Sequence, residues 1–200
     1  MKNNLLICAG LLLIAAALSL IIQDQMNGER AARASEQALQ KLEAHPPSAF
    51  QEPQTKEAPI PASIPDPDIG MPTLEVNGEF YIGILEIPAL ERKFPIISKW
   101  SDAGLDAAPC RYTGSAYLND LIIAGHNYKK CFGSLSRLAI GDNVIFTDVE
   151  GNRFDYLVSS IEQLPGAAVD EMTAGDWDLT LFTCTISGKA RLTIRCILAG

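Results

Sequence analysis

The apolar positions of this chain fall into four textures, and each predicts a different kind of structure. Residues 5–22 (LLICAGLLLIAAALSLII) form a run of 18 residues without a charge. As a helix, that run spans roughly 27 Å, about the thickness of a bilayer's hydrocarbon core. Residues 29–44 are rich in Ala, Glu, Gln and Leu, all good helix formers. Their apolar stripe, Ala31, Ala34, Ala38 and Leu42, is weak and predicts a solvated spacer helix, with weak self-association as the alternative. Residues 46–72 then hold eight prolines in 27 positions. Proline lacks an amide donor and restricts its neighbour, so this stretch is expected to be extended and unpacked, reaching roughly 80 Å at polyproline rise.

From residue 73 the pattern changes to short, β-branched apolar runs separated by turn signals. They lie at 79–87, 94–97, 120–124, 143–147, 154–161, 179–183 and 192–198. Such runs predict an antiparallel β fold, with one or two helical turns near 128–138. Seven or eight strands in this length suggest a closed or nearly closed barrel, although a sandwich gives the same pattern. The expected organisation is therefore a cytoplasmic tip and membrane anchor (1–22), a stalk (23–72) and one folded domain (73–200).

Charge fixes the expected orientation. Lys2 and the amino terminus precede the apolar run, and Asp24, Glu29 and Arg30 follow it, so the bulk of the chain should lie outside the cell. The run is longer than the apolar core of a cleaved signal peptide, and Gln23-Asp24-Gln25 follow it, which favours an uncleaved anchor. Cys8 sits near the start of the run and reads as a lipid-facing or packed residue. The net charge of −8, with no Lys/Arg cluster, excludes nucleic acid as an expected partner. The five cysteines form no CxxC pair and no recognisable disulfide framework. No cofactor is expected; the loop carboxylates Asp148, Glu150 and Asp155 read as solvated turn residues, with a bound ion such as calcium as the alternative.

Three residues are candidates for chemistry, and each has a bland reading when taken alone. His45 lies in the proline-rich stretch without chemical company. His126 ends the apolar strand LIIAG, on the rim where function concentrates. Cys184 ends the strand LTLFTC, and a lone cysteine is usually a small buried hydrophobe. Arg191 follows seven positions later. Together they supply what a thiol nucleophile requires: a base or cation that sustains the thiolate, and a donor for the oxyanion formed on a carbonyl.

At these residues the chain resembles the sortase family. Thr180-Leu181-Phe182-Thr183-Cys184 matches its TLxTC signature, and Arg191, opening RLTIR, matches its catalytic arginine. Ile123-Ala124-Gly125-His126-Asn127 is similar to its strand-end histidine segment. Ile82 to Pro88 (IGILEIP), Phe94-Pro95-Ile96 and Gly141-Asp142 resemble its first strand and turn, its LPI segment and its GD turn. The resemblance covers roughly residues 78–198. It implies a closed eight-stranded β-barrel and a membrane-bound cysteine transpeptidase at a Gram-positive-type cell surface. It implies an LPXTG-like sorting signal of surface proteins as substrate and an amine acceptor, from a cell-wall precursor or another protein, as partner. Cys184 is then the nucleophile, His126 the general acid and base, and Arg191 the oxyanion and substrate donor, with Thr183 and Asn127 in support. His-Asn followed by FGxL resembles the class B pattern, but no long helix is predicted before the last strands. Asp66-Pro67-Asp68 lacks the aromatic residue of the lid motif in pilin-polymerising members.

Two other classes fit less well. An L,D-transpeptidase would place Ser-His-Gly or Thr-His-Gly before its cysteine, and a papain-like protease would place the cysteine before the histidine. A non-catalytic, membrane-tethered β module would leave Cys184 buried and unreactive. The period-2 pattern adds one geometric expectation. If 179–184 and 191–196 form a hairpin, Cys184 opposes Arg191, and Thr183, Leu181, Leu179, Leu192, Ile194 and Cys196 share the core face. Arg195 is then expected to be a surface or rim residue.

Overall fold

The computed structural model describes residues 33–44, 71–128, 130–185 and 187–200. The expected membrane anchor (5–22) and most of the proline-rich stretch lie outside the described residues. Among the described residues no helix is long and apolar enough to cross a membrane.

Helix α1 covers residues 33–44. The strands are β1 (Leu74–Val76), β2 (Glu79–Ile87), β3 (Arg92–Ile97), β4 (Cys110–Thr113), β5 (Leu121–Ala124), β6 (Asn143–Asp148), β7 (Arg153–Pro165), β8 (Leu179–Cys184) and β9 (Ala190–Leu198). Two short helices interrupt them: α2 (Asp102–Ala107) before β4 and α3 (Val169–Thr173) before β8. The sheet runs β1-β2-β3-β4-β5-β8-β9-β7-β6, and a further pairing of β2 with β6 closes β2 to β9 into an eight-stranded barrel. The closed barrel expected from the sequence is present, and the sandwich alternative is not. The expected helical turns become a 3-10 segment at Phe132–Arg137.

Two strands escaped the pattern reading. β1 is three residues long, and it pairs with β2 through Asn77-Gly78, both at positive φ (56° and 85°). That is the two-residue hairpin turn whose twist suits flanking strands, and Asn-Gly is its strongest sequence signal. β4 (CRYT) has only one fully buried side chain, so it carries no alternation to detect.

The barrel interior is filled by large apolar side chains, among them Ile82, Leu85, Phe94, Leu121, Ile123, Phe132, Phe146, Tyr156, Leu179, Leu181 and Ile194. Phe94 and Phe132 meet edge to face at 5.4 Å, an arrangement favoured by the ring quadrupoles. Met71 is part of this core, so the packed domain begins slightly before residue 73.

Helix α1 forms where helix formers predicted it, but it is not a solvated spacer. Ala38 and Leu42 are buried in a second apolar cluster with Val76, Tyr81, Ile97, Ala108 and Cys110. Lys41 donates to Asn77 (2.8 Å), and Glu43 pairs with Lys93 (3.1 Å). The stripe was too thin to announce a partner because Ala and Leu at two positions suffice to cover so small a patch. Asp148 also departs from its expected solvated state. It is buried, accepts from the backbone of Glu150 and Asn152, and bonds the Tyr117 hydroxyl, closing the β6–β7 turn. Asp155 is engaged by Arg153.

Gly114 carries a local constraint that tests the fold. Its φ is +76°, and a Cβ there would stand 1.9 Å from the Asp120 carbonyl oxygen. Gly114→Ala combines a left-handed backbone penalty of about 1–2 kcal/mol with that collision. An unfolding free energy from chemical denaturation lowered by more than about 2 kcal/mol is expected; an unchanged value contradicts this turn.

Candidate active site

The site is assembled at the ends of three neighbouring strands. β5 and β8 run parallel, with Leu121 opposite Leu179 and Ala124 opposite Phe182. The Gly125 amide donates to the Phe182 carbonyl (3.0 Å), which holds the end of β5 against β8 where His126 and Cys184 line the same cleft. β8 and β9 form the expected hairpin, with Cys184 opposite Arg191, Phe182 opposite Thr193 and Thr180 opposite Arg195. Directly opposed residues hold their Cβ atoms about 5 Å apart.

Cys184, His126 and Arg191 thus line one cleft of about 240 Å³. Its other walls are largely apolar and aromatic: Trp100, Leu105, Tyr112, Val169, Met172 and Phe182. Tyr112 and Phe182 pack edge to face at 5.5 Å. A second cleft of about 400 Å³ opens on the other side of Cys184, walled by Asn127, Ser136, Gln163, Thr185 and Ser187. The cysteine lies between an apolar groove and a polar one, and Thr183 and Cys184 line both.

The turn after His126 is tightly held. Phe132 donates its amide to the His126 carbonyl (3.0 Å), and Cys131 and Gly133 donate to that of Tyr128 (each 2.9 Å). Gly125 has no room for a side chain, since a Cβ would meet the Phe132 ring at 2.5 Å. The imidazole Nε2 lies 3.1 Å from Asp106 Oδ1, and the ring rests against Tyr128 with centroids 4.8 Å apart. Sequence reasoning missed both neighbours. Asp106 lies on α2, and nothing in the local pattern of an acidic helix says which distant loop it faces. Asn127, expected to support the imidazole, lines the second cleft. Thr183 is buried beside Cys184, its hydroxyl without a partner among the described residues.

The other described cysteines are Cys110, Cys131 and Cys196. All four described thiols are free. Burial pushes Cys110 and Cys196 up to about 12 and Cys131 up to about 11, which keeps them protonated and unreactive.

Arg195 is not a rim residue. It is buried, donating from Nε to Glu162 (2.7 Å), from Nη1 to the Met172 carbonyl (2.7 Å) and Thr180 Oγ1 (3.1 Å), and from Nη2 to the Glu171 carbonyl (2.6 Å). The expectation took the outer face of β9 to be solvated, whereas α3 and its neighbours cover it.

The sortase-domain pattern matches residues 85–199, more than half of the chain. The chain belongs to the sortase family. It is a cysteine transpeptidase of that family. Among solved structures it is similar to sortase C1 of the GBS Pilus Island 1, with 22% identity over 64% of this chain and 67% of that one, at a TM-score of 0.55. It is also similar to sortase A from Corynebacterium diphtheriae (21%, 61% and 62%, TM-score 0.53). A third similar structure is a Clostridium perfringens sortase D5 transpeptidase (22%, 60% and 79%, TM-score 0.53). At these identities the likenesses speak to the fold and leave the subfamily open. No curated protein sequence matches the chain.

Proposed function

We propose that this protein cleaves an LPXTG-like sorting signal through a thioacyl enzyme on Cys184 and transfers the acyl group to an amine. The observation that carries the reading is the convergence of Cys184, Arg191 and His126 on one apolar cleft. Cys184 Sγ attacks the scissile carbonyl carbon, and Arg191 donates hydrogen bonds to the oxyanion that develops. The carbon–nitrogen bond then breaks, and protonated His126 gives its proton to the leaving amine. An acceptor amine attacks the thioester, His126 takes the amine's proton, and the carbon–sulfur bond breaks to return the Cys184 thiolate. The apolar walls suit the aliphatic part of a sorting signal, and excluding water there favours aminolysis over hydrolysis. Residues 5–22 would tether the domain to the outer face of the membrane.

The test is mass spectrometry of the protein incubated with a library of sorting peptides and amines. A thioester adduct localised to Cys184, released by amine, is expected. Turnover of sorting peptides with no adduct on this residue overturns the reading. His126→Ala should lower transfer by at least ~10²-fold, the usual cost of deleting a proton-transfer group. Near-normal turnover in that variant would assign the leaving-group proton elsewhere.

A further inference from the structure

We propose that Asp106 is the positioning residue for His126, its carboxylate fixing Nε2 so that Nδ1 is left for proton transfer. The proposal rests on the thioacyl reading above. Among the described residues the imidazole meets the Asp106 carboxylate at Nε2 (3.1 Å) and the Tyr128 ring against its face, tilted by 34°. An imidazole at a strand end can otherwise turn about two side-chain bonds. A proton donor acts only within hydrogen-bond reach of its target. Orientation of the base by a third group is the general device that removes this freedom in nucleophile–base pairs.

The carrier of Asp106 is built to hold its place. Helix α2 is capped by Ser101, whose hydroxyl accepts from the Gly104 amide (2.9 Å), and is closed by Ala108 donating to the Gly104 carbonyl (3.0 Å). Leu105, Ala107 and Ala108 pack into the cluster that α1 covers with Ala38 and Leu42. Asp106, by contrast, stands 71% exposed on the outer side of this helix. A stability role does not explain it. Exposed ion pairs contribute little, and a carboxylate in the last turn of a helix opposes the helix dipole. Removing it should leave thermal stability unchanged or raised, while transfer falls.

The full chain is assayed as Asp106→Ala and Asp106→Asn. Asp106→Ala is expected to lower kcat about tenfold, short of the ~10²-fold loss for the imidazole itself, with KM for the sorting peptide unchanged. Asp106→Asn, which keeps an oxygen that accepts from Nε2–H, is expected to retain more activity. The nitrogen-15 signals of the His126 ring should report a single tautomer in the wild type and a redistributed one in Asp106→Ala. An unchanged kcat in Asp106→Ala overturns the proposal. So does a raised KM at constant kcat, which makes Asp106 a substrate contact. Cys184→Ala, run in parallel, separates the two ideas. Transfer that survives in Cys184→Ala brings down the thioacyl reading, whereas an unaltered His126 ring spectrum in Asp106→Ala brings down the positioning role alone.

Discussion

Replacing Cys184 by alanine is expected to abolish cleavage and transfer while leaving the barrel folded. Cys184 ends β8 at a cleft and is only partly buried, so losing its sulfur opens no closed core cavity. Its backbone pairing with Arg191 does not depend on the side chain. The contrast lies with Cys110 and Cys196, which are fully buried in the two apolar clusters. Alanine at either should cost stability, roughly 1–2 kcal/mol for a small core truncation, yet leave turnover per folded molecule intact. The comparison is made by thermal unfolding together with a peptide-transfer assay on all three variants. Detectable transfer by Cys184→Ala removes Cys184 from the role assigned to it.

The parts of this picture that the sequence disclosed are those governed by period-2 alternation. Along β8, Leu179, Leu181 and Thr183 must share a face, and along β9, Leu192, Ile194 and Cys196 must share one. The register that opposes Cys184 to Arg191 puts both sets into one core, and a one-residue slip would part them. That register is the observed one. The position of His126 is less determined by pattern, because it depends on β5 lying parallel beside β8, a non-local pairing. Asp106, the burial of α1 and the setting of Arg195 were hidden for one physical reason. Each is defined by a second element packing from outside the barrel, and alternation within a strand says which residues share a face without saying what covers it. Helix α3, which carries the carbonyls that receive Arg195, is five residues long and has no stripe that could announce its docking.

The two arginines of β9 should therefore respond in opposite ways to the same substitutions. They lie four residues apart, roughly 13 Å at ~3.3 Å per residue, so they cannot serve the same carbonyl. Arg191 lines the cleft opposite Cys184. Arg191→Lys replaces a planar, forked donor by a point charge, and losing an oxyanion donor typically costs ~10²–10³ in rate. Stability should change little, since the side chain lies at the cleft edge. Arg195 is almost wholly buried, and its guanidinium joins Glu162 on β7, Thr180 on β8 and the carbonyls of Glu171 and Met172 on α3. Arg195→Ala strands two carbonyls and a hydroxyl and leaves a void, a loss of about 3 kcal/mol or more. Glu162, partly exposed, can turn to water, which keeps its own share of that loss small. Because α3 contributes Val169 and Met172 to the cleft wall, Arg195→Ala should also raise KM for the sorting peptide. Denaturant midpoints and steady-state transfer kinetics on Arg191→Lys, Arg195→Lys and Arg195→Ala test the assignment. If Arg195→Lys costs more in kcat than Arg191→Lys while its midpoint is unchanged, the arginine at the oxyanion is Arg195, and the cleft has been assigned to the wrong residue.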